Sequence, residues 1–301
     1  MSHIVAFSSL GVTLRGNLYL PENTNQTVPI VVMAHGFSAT ISGMVADRYA
    51  ESFRAAGFAV LLYDHRSLGI SDGKPRQHIN TEVQTRGYID AIDFVTTLPE
   101  IDQSRIAIWG GSTSGAEVII VGAVDDRVGA IVSQIPGCGD VLPPPDQDGS
   151  RFNAFREDFL GNDFEFISEK IGQPMPVVSF DQIGTPSIME PLTSFRWFIE
   201  FGGRYGTNWK NWATVSSQNF ESFNTYLCAP YLKAPILMII AEKDEMPGAS
   251  SEISRKVYEV APEPKELFEI AGGHFGLLYY PSEIFDQSSK IQVDFLVRHF
   301  C

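Results

Sequence analysis

Three stretches of the chain are apolar almost without interruption: PIVVMAH at 29–35, FAVLLYD at 58–64 and RIAIWGG at 105–111. Runs of this kind, short and rich in β-branched residues, predict strands covered on both faces, as in a parallel sheet. Between them lie helical stretches at 44–56 and 81–97. In the second, Val83, Tyr88, Ile89, Ala91, Ile92, Phe94 and Val95 recur close to a 3.6-residue period. Strand alternating with helix implies right-handed crossovers and a parallel core. Ahead of them, residues 2–8 and 12–20 predict an antiparallel pair, with alternation in VTLRGNLYL and Gly11 at the turn. The rhythm resumes with strands at 127–135 and 234–242, a helix at 250–260, a strand at 266–271 and a closing helix at 285–299. The fold class is α/β, a mostly parallel central sheet flanked by helices.

Residues 138–230 break this rhythm. The stretch opens with Cys138, Gly139 and three prolines, Pro143 to Pro145, which the interior of a regular element excludes. It then carries Phe152, Phe155, Phe159, Phe164, Phe166, Phe195, Trp197, Phe198, Phe201, Tyr205, Trp209 and Trp212. It reads as a mostly helical cap insertion over the carboxyl edge of the sheet, where open α/β sheets bind ligands. More than half of its aromatics are expected to form the insertion's own core. The division is then 1–137 with 231–301 as the core domain and 138–230 as the cap.

Composition narrows the function. Of the 301 residues, 44% are hydrophobic and 19% charged, which excludes a disordered chain. A net charge of −14 repels phosphate backbones and anionic lipid surfaces, so neither nucleic acid nor membrane is an expected partner. Three cysteines, Cys138, Cys228 and Cys301, without short spacing form neither a disulfide framework nor a zinc pattern. The first residues lack a basic stretch followed by a long apolar core, and the run from Ala234 to Ala241 is too short to span a bilayer. A cytoplasmic location is expected.

The chemistry begins at Gly110-Gly111-Ser112-Thr113-Ser114, directly after a predicted strand and before the helical run GAEVIIVGAV. This is the G-x-S-x-[GS] pattern of a nucleophile elbow. A sharp, strained turn exposes the serine, so its flanking residues must be small. The helix that follows turns its N-terminal N–H groups toward the serine and favours negative charge there. A hydroxyl needs a base to take its proton. Of the six histidines, His3 is terminal, His35 and His65 precede the serine, His78 lies before the second helix and His299 sits in the closing helix. His274 follows a strand through Gly272-Gly273 in the loop before the last helix, where the order serine, acid, histidine requires the base. The base needs an acid to set its tautomer. Asp244, just past the strand ILMIIA, is preferred over Glu242 and Glu245, which are expected to be solvated. The backbone N–H groups of Phe37 and Thr113 are the candidate oxyanion donors. Asp64 and Arg66 are expected to brace the turn that follows the strand ending at Asp64.

With Ala34-His35-Gly36-Phe37, the D-x-R-x-x-G-x-S-x-G segment at 64–73, the elbow at 110–115, Asp244 and Gly273-His274, the chain resembles the α/β-hydrolase superfamily. It is similar to a dienelactone hydrolase-like subgroup whose fungal members are polyketide transferases and thiohydrolases. Ala116 departs from a second glycine common after the elbow. The resemblance implies cleavage or transfer of an ester, thioester or lactone of a largely apolar acyl group. The acyl-enzyme forms on Ser112, with no cofactor and no metal. It further implies an acyl substrate handed over as a thioester or by a polyketide synthase. Carbon–carbon or amide hydrolysis on the same three residues, and ligand binding without turnover, are the alternatives. A serine rather than an aspartate at the elbow sets haloalkane dehalogenase chemistry aside.

Overall fold

The computed structural model describes residues 2–22, 26–161, 171–217 and 221–300. Eight strands form one sheet: β1 (Ser2–Ser9), β2 (Val12–Tyr19), β3 (Val28–Ala34), β4 (Ala59–Asp64), β6 (Ile101–Gly111), β7 (Val128–Gln134), β9 (Ile236–Ala241) and β10 (Lys265–Ile270). Their order is β1-β2-β4-β3-β6-β7-β9-β10. β1 and β2 pair antiparallel, β2 meets β4 antiparallel, and every later pairing is parallel. Two short strands, β5 (His78–Ile79) and β8 (Thr214–Val215), pair separately.

The side-chain alternation of each strand feeds a different apolar cluster on each face of the sheet. Val31, Met33, Val60, Leu62, Ala107 and Trp109 join one cluster, with helices α1 (Ala46–Ala55) and α8 (Glu283–Phe300) packed over them. Ile30, Val32, Leu61, Tyr63, Ile106 and Ile108 join the other, beneath α2 (Thr81–Val95), α3 (Thr113–Val124) and α7 (Ser251–Val260). The expected strands and helices of the core are all present, displaced at their ends by a few residues.

The stretch 138–230 is less helical than its aromatic content implied. Its described helices are α4 (Ser150–Leu160), α5 (Leu192–Trp197) with a π turn over Phe198–Gly202, and α6 (Thr225–Cys228), followed by a 3-10 turn at Ala229–Tyr231. Pro174, Pro176, Pro186 and Pro191 punctuate the connections, and each removes a backbone donor that a helix would use. Nor do its aromatics build a separate core. Phe152, Phe155, Phe159 and Phe223 extend one sheet-face cluster, and Trp197, Phe198, Phe201 and Trp209 extend the other. Tyr205 and Trp212 are exposed. Phe164 and Phe166 lie outside the described residues. Among the described residues, no helix is long and apolar enough to cross a membrane.

Candidate active site

β3 and β6 lie side by side, and the chain leaves them in opposite directions, β3 toward β4 and β6 toward β7. Such a switch point opens a crevice at the carboxyl ends of the strands. Ser112 stands at the end of β6 as the residue before α3, with φ 59° and ψ −122°. This positive φ costs energy for a residue with a Cβ, and the surrounding small residues are what allow it. A Cβ on Gly110 would stand 2.0 Å from the Ser114 carbonyl oxygen, and one on Gly36 2.6 Å from that of Gly111. The loop after β3 therefore lies against the elbow, with Phe37 in the wall of the same cavity as Ser112. Thr113 opens α3, whose first-turn N–H groups have no intrahelical acceptor.

β9 and β10 bring the remaining two residues to the same edge. Asp244 follows β9 and His274 follows β10, 30 positions on. His274 Nδ1 lies 2.7 Å from Asp244 Oδ2, and His274 Nε2 lies 2.9 Å from Ser112 Oγ. Both the imidazole and the carboxylate are buried, whereas Ser112 is half-buried. The second oxygen of Asp244 accepts from the Met246 N–H at 3.0 Å. All three side chains predicted from sequence converge.

Glu245 is exposed, as expected, but its carboxylate also accepts from the His274 backbone N–H at 2.9 Å and from the Thr193 hydroxyl of α5 at 2.5 Å. Partial burial would raise its pKa. The Thr193 hydroxyl and the His274 amide outweigh that and hold it below the ordinary carboxylate value. A Cβ at 273 would stand 2.1 Å from the Glu245 carboxylate, so a side chain there would push that carboxylate aside. Asp64 is the brace that the sequence implied. Its two oxygens accept from the Ile41 and Ile70 N–H groups, both at 2.9 Å, which joins the loop after β3 to the loop after β4. Burial raises its pKa to about 6. Arg66 donates to the Leu10 carbonyl.

Behind the elbow is a buried polar group that sequence reasoning missed. Glu117 of α3 and His65 of the β4 loop meet at Ser114, and all three are buried. Desolvation raises the Glu117 pKa to about 8 and lowers that of His65 to about 3. The signal was present, because Glu117 is the one charged residue in the apolar run GAEVIIVGAV.

A cavity open on one side to solvent lies in front of Ser112. Its walls are mainly apolar: Phe37, Met189, Trp197, Phe198, Phe275 and Leu278. Trp197 stacks on Phe275 and anchors its indole N–H on the Leu278 carbonyl, so the insertion supplies one wall and the histidine loop another.

A thiohydrolase of Aspergillus aculeatus is 30% identical over 305 aligned residues, covering 95% of this chain and 89% of its own. The chain belongs to the α/β-hydrolase superfamily, with the fungal thiohydrolases. A polyketide transferase of Aspergillus fumigatus is 24% identical and covers 96% of the chain and 95% of its own length. An α/β hydrolase from a Penicillium species superposes with a TM-score of 0.75 at 26% identity, covering 100% of this chain and 99% of that one. The family model of the X-Pro dipeptidyl-peptidases (S15 family) matches residues 11–140, which include the elbow but neither Asp244 nor His274. The superfamily branch is one of hydrolases and acyl transferases.

Proposed function

We propose that this protein is a serine-dependent hydrolase or acyltransferase acting on an ester, thioester or lactone of a largely apolar acyl group. The observation that carries the proposal is the unbroken chain Ser112–His274–Asp244, with contacts of 2.9 and 2.7 Å, opening onto an apolar cavity. In this reading Asp244 accepts from Nδ1–H, which leaves Nε2 bare to take the Ser112 proton. Ser112 Oγ attacks the acyl carbonyl, and the N–H groups of Phe37 and Thr113 receive the oxyanion. One such donor contributes roughly 3–4 kcal/mol to the transition state. His274 then protonates the leaving thiol or alcohol. Water or an acceptor hydroxyl, deprotonated by the same imidazole, releases the acyl group. A polyketide acyl chain delivered as a thioester fits both the apolar walls and the names of the relatives.

The test has two parts. A fluorophosphonate probe labels the wild type and not Ser112→Ala. A screen of p-nitrophenyl esters of graded length beside acyl thioesters then finds turnover that Ser112→Ala abolishes. Equal labelling of the two proteins would overturn the assignment, and product analysis with an alcohol acceptor separates transfer from hydrolysis.

A further inference from the structure

The hydroxyl of Ser114 sits among three polar atoms and also hydrogen-bonds the Tyr88 hydroxyl of α2. It lies 2.8 Å from the His35 carbonyl oxygen, 2.8 Å from Glu117 Oε2 and 3.0 Å from His65 Nε2. Glu117 Oε2 and His65 Nε2 are themselves 3.4 Å apart. The hydroxyl has one proton. The His35 carbonyl can only accept, so a close contact there needs that proton. The Ser114 lone pairs then face Glu117 and His65, and each of these must bring a hydrogen of its own. Glu117 as the neutral acid protonated on Oε2 and His65 as the neutral Nε2–H tautomer satisfy these three contacts. An ionised Glu117 would instead be an uncompensated charge in a buried site. Among the described residues, Glu117 Oε1 and His65 Nδ1 have no hydrogen-bond partner, as befits acceptors left over in a neutral set.

The cluster joins two elements that the proposed oxyanion hole depends on. Ser114 lies in the first turn of α3, next to Thr113. The His35 carbonyl belongs to the loop that carries Phe37, and a Cβ on Gly36 would already touch Ser112. We propose that neutral Glu117, acting through Ser114 and with His65, is a positioning residue that sets the separation of the Phe37 and Thr113 amides. This rests on the reading of Ser112 as the nucleophile. When Glu117 loses its proton, the Ser114 hydroxyl turns to the carboxylate, because a charge-assisted hydrogen bond outcompetes a neutral one. The tie to His35 is then lost and the hole widens.

Tyr63, Tyr88 and His35, which pack here, keep one charge state across neutral pH. Burial holds Tyr63 of β4 and Tyr88 of α2 well above the ordinary tyrosine value, and it holds His35 down at about 4. Asp90 of α2, which contributes to the field at Tyr63, is raised by burial.

The experiment compares wild type, Glu117→Gln, Glu117→Ala and Ser114→Ala on an ester that the wild type turns over, from pH 6 to 10. Glutamine can donate from the position of the acid O–H. The expected result is an alkaline fall in wild-type kcat, with KM little changed, that Glu117→Gln lacks. At pH 7, Glu117→Ala and Ser114→Ala lose roughly tenfold or more in kcat, and Glu117→Gln restores most of it. Infrared difference spectra of the wild type over the same range show a protonated-carboxyl band that disappears at high pH and is absent from Glu117→Gln. An unchanged alkaline limb in Glu117→Gln, or full kcat in Ser114→Ala, overturns the proposal. The infrared band reads the protonation of Glu117 without any reference to turnover. Its absence sinks this inference alone, whereas wild-type activity in Ser112→Ala sinks the reading of the nucleophile.

Discussion

Asp244 and Glu245 are adjacent carboxylates that hold the same histidine by different atoms. Asp244 takes the ring N–H and so sets the tautomer. Asp244→Asn preserves the shape but presents a donor to Nδ1, and the tautomer that results cannot accept from Ser112. Its kcat is expected to fall by ~10⁴-fold while the fold is retained, measured by steady-state kinetics beside circular dichroism. Glu245 takes the backbone N–H and ties it to Thr193. Glu245→Ala is expected to lose roughly tenfold in kcat, the size of one hydrogen bond to a charged group, whereas Glu245→Gln keeps an acceptor and loses less. The sequence singled out Asp244 from its place after a strand, and the structure sets it 2.7 Å from the His274 ring. The sequence did not show Glu245 folding back, because that contact is made with Thr193, 52 positions away.

At the level of the element, the elbow is a strand–turn–helix whose conformation depends on what its neighbours leave room for. Gly110 has no unusual φ, yet a Cβ there would collide with the backbone of the helix turn at 2.0 Å. Gly110→Ala is expected to destabilise the protein by ~1–3 kcal/mol or more, since backbone cannot step aside as a flexible side chain can. Urea denaturation followed by fluorescence measures this. α2 offers a contrasting case. Asn80 caps it by accepting from the Val83 N–H at 3.1 Å. Asn80→Ala removes that bond, and a loss of ~1 kcal/mol is expected by the same measurement. Helix α2 was legible from its 3.6-residue period. The extended connections of 171–191 were not, because aromatic content marks burial without specifying which element is buried.

Across the molecule, four buried groups with large shifts, His35, His65, Asp64 and Glu117, contribute to how stability depends on pH. His35 and His65 have pKa values lowered from 6.5 to about 4 and about 3, so the unfolded chain binds their protons first as pH falls. Glu117 and Asp64 are raised, from 4.5 to about 8 and from 3.8 to about 6, so for them the folded chain binds first. Between about 4.5 and 6 the two pairs oppose each other and stability is nearly flat with respect to these groups. Above about 6.5 the Glu117 difference outweighs that of the histidines, and by about 7.5 it is the largest left among these four. Stability is then expected to fall as pH rises to about 8 and to level off beyond it. Below about 4.5 the histidines dominate, and stability falls again as pH falls. Thermal melts from pH 4 to 9 trace this profile, and Glu117→Gln is expected to remove the decline between 6.5 and 8.

The sheet, the elbow and the three residues Ser112, Asp244 and His274 were readable in one dimension. Each is tied to a local pattern: an apolar run, a cluster of small residues around a serine, an acid or a histidine directly after a strand. Such patterns survive in sequence because the constraint acts on neighbours along the chain. The Glu245 strut, the Ser114–Glu117–His65 cluster and the division of the aromatics between two sheet faces depend on groups far apart in sequence. The strand order alone brings them together, and burial then decides which of them keep a proton.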